Sequence, residues 1–228
     1  MAKRKSSHQK RQHQQQRKAQ NERRQRFMVG LVVAVAVLAL SAFAVFRTVT
    51  APDVSAISEV SPANIDGPID APVQVVEFGD FGCPSCRAWH NLGIKEQLKA
   101  EFGDQVSITF RHFPVITRQS PQAAEAGQCA AEQGRFWDFH DYIYEQTPQN
   151  ALADDQLKSY AAAIGLDTGA FNRCLDSGQF VDYVLRDQQA AVAGGARGTP
   201  TFFINGQQVS PTYDSLAAAI RQVLEHEG

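Results

Sequence analysis

Val73-Gln74-Val75-Val76-Glu77-Phe78-Gly79-Asp80-Phe81-Gly82-Cys83-Pro84-Ser85-Cys86 is the stretch on which the fold of this 228-residue chain turns. Val73 to Phe78 is a β-branched run of strand type, and Gly79 and Gly82 mark a turn after it. From Pro84 to about Glu101, the apolar positions Ala88, Trp89, Leu92 and Leu98 recur at roughly helical spacing. The local plan is strand, turn, helix. Pro84 suits a first helical turn, where its missing N–H is not needed, so Cys83 falls at or next to the N-cap.

Working toward the C-terminus, Val106-Ser107-Ile108-Thr109-Phe110 alternates and predicts a second strand beside the first. Residues 121–146 are rich in Ala, Gln, Glu and aromatics and read as helical. Further helices are expected around 154–164, 168–176 and 179–193, punctuated by Gly165, Gly178 and Gly194-Gly195. Strand character resumes at Thr201-Phe202-Phe203-Ile204, and Asn205-Gly206 before Gln207-Gln208-Val209 signals a hairpin. Leu216, Ala219, Ile220 and Val223 mark a closing helix. The expectation is an α/β fold with a mixed central sheet flanked by helices, occupying residues 66–228, with an all-helical insertion over about 119–193. The βαβ unit makes the first two strands parallel, whereas the hairpin is antiparallel.

Toward the N-terminus the chain changes character. Residues 1–26 hold ten of the 22 Lys and Arg against one acid, Glu22, so the rest of the chain is acidic. Phe27 to Phe46 carries no charge, and at about 1.5 Å per residue it makes a helix of roughly 30 Å, the thickness of a bilayer core. Arg23, Arg24 and Arg26 precede it and only Arg47 follows closely, so the positive-inside rule places 1–26 in the cytoplasm and the remainder outside. Residues 47–65 read as a tether. A cleaved signal peptide is the competing reading, with Ala42-Phe43-Ala44 at cleavage-like spacing, but such segments are shorter. The basic leader could also bind anionic lipid or nucleic acid; a disordered topology signal explains it as well, and no nucleic-acid partner is expected.

At a helix start, unpaired N–H groups and the dipole favour a thiolate, and such cysteines titrate at about 3.5 to 7.5 rather than about 8.5. Cys83 is therefore the expected nucleophile and Cys86, one turn in, the more buried resolving thiol of a disulfide-exchange pair. Glu77 shares a strand face with Val75. If it points beneath the cysteines it can relay the proton of Cys86; if not, it is a solvent-facing acid, and the sequence leaves both open. Gly198-Thr199-Pro200 precedes the hairpin, at a strand start where proline is tolerated.

Four blocks in this order resemble the DsbA-like branch of the thioredoxin superfamily: Asp70-Ala71-Pro72-Val73 through Glu77-Phe78, Cys83-Pro84-Ser85-Cys86, Cys129-Ala130-Ala131-Glu132-Gln133-Gly134-Arg135-Phe136-Trp137, and Gly198-Thr199-Pro200-Thr201-Phe202-Phe203-Ile204-Asn205-Gly206. The resemblance covers about residues 66–228. It implies a thioredoxin fold with a helical insertion, Cys83 as nucleophile, Cys86 as resolver, Glu77 as buried acid, and Pro200 as a cis-proline beside the sulfurs. Thr199 would offer main-chain hydrogen bonds to an extended client peptide. Ser85 and Thr199 depart from the strongly oxidising enterobacterial pattern, which has histidine and valine at these places, and they are the residues that would tune the direction of electron flow.

Cys129 and Cys174 lie in the insertion. On the oxidising side of a membrane a structural disulfide is expected between them, as in some DsbA-like proteins; two buried thiols and a redox relay are the alternatives. A zinc site on Cys83 and Cys86 with His90 and His112 would lack the second ligand pair that structural zinc usually uses, so no metal is expected. His140 reads as structural, and Phe136, Trp137, Phe139, Tyr142 and Tyr144 as core aromatics. The whole chain thus reads as a membrane-anchored oxidoreductase, needing no cofactor, that passes the Cys83–Cys86 disulfide to reduced secreted or envelope proteins. Its reoxidation would fall to a membrane quinone-linked protein, DsbB-like or vitamin K epoxide reductase-like. The rivals are a reductase or isomerase of the same fold and a tethered domain without catalysis.

Overall fold

The computed structural model describes residues 61–146 and 151–227. The expected leader, transmembrane segment and most of the tether lie outside these residues. Among the described residues no helix is long and apolar enough to cross a membrane.

Five strands form one sheet in the order β1-β3-β2-β4-β5: β1 Ile65–Asp66, β2 Val73–Gly79, β3 Val106–His112, β4 Thr201–Ile204 and β5 Gln207–Val209. The β2 and β3 strands run parallel, with Val73 opposite Val106 and Gly79 opposite His112. All other pairings are antiparallel, so the sheet is mixed. Asn205 (φ 44°) and Gly206 (φ 82°) turn the β4–β5 hairpin with both residues left-handed, the conformation that an Asn-Gly pair tolerates. The β1 strand corrects the tether reading. Ile65 and Asp66 pair with Thr109 and Ile108, and the preceding Asn64 amide reaches Phe110 O at 3.3 Å, so tertiary pairing enlists residues with no strand pattern of their own.

Helices α1 Pro84–Asn91 and α2 Ile94–Phe102 replace the single helix expected over 84–101. Gly93 (φ 64°) N-caps α2 in a left-handed conformation, which breaks the helical run and turns the chain. The insertion comprises α3 Ser120–Ala131, α4 Phe136–Gln146, α5 Asp154–Ala163, α6 Thr168–Ser177 and α7 Val181–Ala193; α8 Tyr213–Glu227 closes the chain. Gly134 (φ 69°) separates α3 from α4.

Strand alternation assigns the two faces of the sheet. Val73 and Val75 join Leu98, Ile108, Phe202, Leu216 and Ile220 in a core under α2 and α8. Val76 and Phe78 turn the other way, toward Phe113, Ala191 and Phe203 under α7. That second face is fixed to α7 by the buried Arg111–Asp187 ion pair, at 2.7 Å. The remaining core, which includes Phe81, Ala126, Phe136, Phe139, Ile143 and Phe171, joins the helical insertion to the cysteine turn.

Candidate active site

The turn between β2 and α1 is built on Asp80. Its carbonyl accepts from Cys83 N–H at 2.9 Å and from the Tyr144 hydroxyl at 3.1 Å. One carboxylate oxygen accepts from Gly82 N–H at 2.7 Å, and the other from Val115 N–H and Ile116 N–H at 2.8 Å each. Gly82 is required here, since a Cβ would lie 2.7 Å from Ser120 Oγ. Cys83 is thereby held as the N-cap of α1, with extended backbone (φ −87°, ψ 121°) and Pro84 beginning the helix.

Both thiols are free, and both residues are buried, Cys83 at 3% exposure and Cys86 at 0%. Cys83 Sγ donates to Thr199 O at 3.2 Å. The Thr199–Pro200 peptide is cis and lies immediately before β4. A hydrogen bond from the Cys86 thiol does most to hold Cys83 down, to about 5; burial opposes it, while Thr199 and the backbone N–H groups of the first helical turn assist. Thr199 Oγ1 is otherwise a buried hydroxyl without a hydrogen-bond partner, so an ionised Cys83 sulfur gives it an acceptor. Cys86 is pushed well above the usual thiol range, first by burial and then by its bond to Cys83 and the nearby Glu77.

Glu77 faces inward, at 3% exposure, on the β2 face shared with Val73 and Val75. Burial raises its carboxyl to about 8 against the partial opposition of Lys95, with Cys83 adding to the rise. A neutral carboxylic acid beneath two sulfurs can give or take a proton near neutral pH. Lys95, on α2, has its ammonium 3.5 Å from Asp66 and from Glu96, and 4.4 Å over the Trp137 ring. Neither Lys95 nor Asp80 stood out in the sequence. A lysine on an amphipathic helix reads as solvated, and only the Asp-x-Gly spacing hinted that Asp80 braces a turn.

Cys129 on α3 and Cys174 on α6 form a disulfide, with Cα atoms 5.8 Å apart. His90 and His112 lie away from the two cysteines: His112 Nε2 bonds Gln128 Nε2 at 2.8 Å, and His90 faces Asp141 and Glu145 of α4. Beside Cys83 a groove of about 520 Å3 is lined by Ser85, Trp89, Leu92, Pro200, Pro211 and Tyr213, among others. Trp89 donates to Pro211 O at 2.8 Å and fixes one wall.

The chain matches the thioredoxin family over residues 63–222. The relative named probable disulfide bond formation protein D, from Bacillus cereus, is 34% identical over 168 residues, covering 70% of this chain and 77% of that protein. The Na(+)/H(+) antiporter NhaA of Herminiimonas arsenicoxydans is 41% identical over 162 residues, covering 71% of this chain; this chain spans only a quarter (25%) of the antiporter's length. Among solved structures, oxidised BdbD from Bacillus subtilis superposes with a TM-score of 0.66 at 27% identity, covering 76% of this chain and 96% of that one. Wolbachia pipientis alpha-DsbA1 gives 0.60 at 21% identity, covering 75% and 94%, which is a likeness of fold.

Proposed function

This chain belongs to the thioredoxin family and is a thiol-disulfide oxidoreductase, and we propose that it works as a disulfide donor outside the cytoplasm. The observation that carries the direction is the asymmetry of the two sulfurs: Cys83 is held near 5 and Cys86 far above it. Stabilising the reduced pair as a Cys83 thiolate makes its disulfide the more strongly oxidising, and makes Cys83 a good leaving group.

A client thiolate attacks Cys83 Sγ of the Cys83–Cys86 disulfide. The client–Cys83 bond forms, the Cys83–Cys86 bond breaks, and its electron pair leaves on Cys86. Glu77 as the neutral acid protonates that sulfur, and water or the client thiol restores its proton. A second client thiolate then attacks the client sulfur and expels the Cys83 thiolate. The client has lost two electrons and the enzyme pair has gained them. The client would lie extended along Thr199 and the start of β4, with apolar side chains in the neighbouring groove.

Reoxidation by a membrane quinone-linked protein, DsbB-like or vitamin K epoxide reductase-like, fits this direction. So does anchoring through residues 27–46, with residues 1–26 cytoplasmic. The relative named as a Na(+)/H(+) antiporter supports that placement, since a similar domain shares a chain with a membrane transporter there. Trapping thiols in intact cells with an alkylating reagent tests the proposal. The donor role predicts mostly oxidised Cys83–Cys86; a mostly reduced pair would make the protein a reductase or isomerase. A Cys86→Ala variant should accumulate mixed disulfides through Cys83.

A further inference from the structure

Between α1 and α4, two buried histidines converge on one carboxylate oxygen. Asp141 Oδ1 pairs with His140 Nδ1 at 2.8 Å and lies 3.9 Å from His90 Nδ1. One ligand-type atom from each of His90, His140 and Asp141 falls within 4.8 Å of the other two. His90 is 8% exposed and His140 2%, and each keeps one ring nitrogen without a hydrogen-bond partner, Nδ1 of His90 and Nε2 of His140. At 3.9 Å the carboxylate satisfies neither an N–H nor a lone pair on His90 Nδ1, and a buried nitrogen left so is unfavourable. The other His90 nitrogen, Nε2, lies 3.6 Å from Glu145 Oε1. That is an ion-pair distance rather than a hydrogen bond; closing it by a few tenths of an ångström would give the far nitrogen the carboxylate partner that orients metal-binding imidazoles.

We propose that His90, His140 and Asp141 form a three-ligand site for a divalent transition-metal ion of the zinc type, bridging α1 and α4. Two imidazoles and a carboxylate suit zinc, copper or nickel rather than calcium or magnesium, which prefer all-oxygen sites. Zinc bonds of about 2.0 Å place tetrahedral ligands roughly 3.3 Å apart, so a small rotation of His90 closes its gap to Asp141. The fourth position faces water, since the Asp141 side chain is 37% exposed and that of Glu145 54%. The Lys95 ammonium lies 3.9 Å from Asp141 but 3.5 Å from Asp66 and Glu96, so it keeps two carboxylates when a cation arrives. With a metal on Nδ1, His140 carries its proton on Nε2 among the rings of Phe110 and Trp137, whose centroids are 5.0 and 4.9 Å away. His90 follows Cys86 by one turn of α1, so a bound ion would pin the helix that carries both sulfurs.

The test is a Co2+ titration of the full chain with Cys83–Cys86 oxidised, so that neither sulfur can bind metal. The site predicts visible d–d absorption that saturates at one ion per chain and is displaced by Zn2+. Affinity should fall at least tenfold in Asp141→Asn and in His90→Gln and stay unchanged in His226→Gln on α8. Zn2+ should raise the thermal midpoint of the wild type but not of Asp141→Asn. If His90→Gln does not fold, the partly exposed Asp141 position carries the test alone. Absence of the band at millimolar Co2+, or a band that Asp141→Asn retains at full affinity, would overturn the proposal.

Discussion

Cys83 and Cys86 lie three residues apart at the start of a helix, whereas Cys129 and Cys174 lie 45 apart within two different helices. The two pairs are comparably hidden, with every cysteine at 5% exposure or less. What separates them is the polar company of the sulfurs. Cys83 meets helix N–H groups, the Thr199 carbonyl and hydroxyl, and a second thiol, while Glu77 waits beneath Cys86. Cys129 and Cys174 are bonded to each other in the core that holds Phe139, Ile143 and Phe171, a core that Cys83 and Cys86 share. Burial alone therefore says nothing of reactivity; a sulfur becomes a usable nucleophile where its anion has donors.

The largest effect should come from breaking the active pair. Cys83→Ser should cut disulfide transfer to a reduced client by on the order of a thousandfold or more. Residual transfer in the wild-type range would mean that the second pair also exchanges. Removing that pair in Cys129→Ala/Cys174→Ala should cost about 3–4 kcal/mol of stability, or roughly 10 °C in thermal midpoint, and leave transfer at 25 °C within about twofold. A loss of transfer without a loss of stability would recast it as a relay.

Glu77→Gln should slow formation of the mixed disulfide, the step in which Cys86 leaves and takes a proton, about a hundredfold, followed by stopped-flow at neutral pH. It should also stabilise the oxidised protein, and the sign follows from the raised carboxyl. Below the ordinary carboxylate value of 4.5 the acid is neutral folded or unfolded. As pH rises toward about 8 the unfolded chain ionises first, and stability is lost. The gain in Glu77→Gln should thus be absent at pH 4 and plain at pH 7 in melting curves. Smallest is Thr199→Val, which should raise the Cys83 midpoint from about 5 by roughly a unit or less, because one hydroxyl hydrogen bond is worth about 1 kcal/mol. Thiolate absorbance against pH reads it, and an unmoved or lowered midpoint would remove Thr199 from the donor set.

The strands and the hairpin were legible because their patterns are local: alternation in Val106–Phe110 and Asn-Gly at 205–206 carry their geometry in the residues themselves. The placement of the two sulfurs was legible because Cys-Pro-Ser-Cys at a helix start fixes which thiol meets the free N–H groups. Glu77 was legible as a candidate but not as buried, since its facing depends on α1 and α2 closing over one side of β2. The β1 strand, Lys95 and Asp80 were not legible, because each takes its meaning from partners distant in sequence: β3, Glu77 with Asp66, and the 115–116 amides. The helix break at Gly93 was missed because the apolar spacing continues across it.

The Asp80 clamp has a consequence for anyone reshaping this protein. It grips Val115 and Ile116 by their main-chain amides, while their side chains, 45% and 46% exposed, stand free next to the cysteine turn. Those two positions form a natural randomisation window. A library there can vary the surface offered to clients while leaving the sulfur chemistry alone, provided that proline, which has no amide hydrogen to give, is kept out of it.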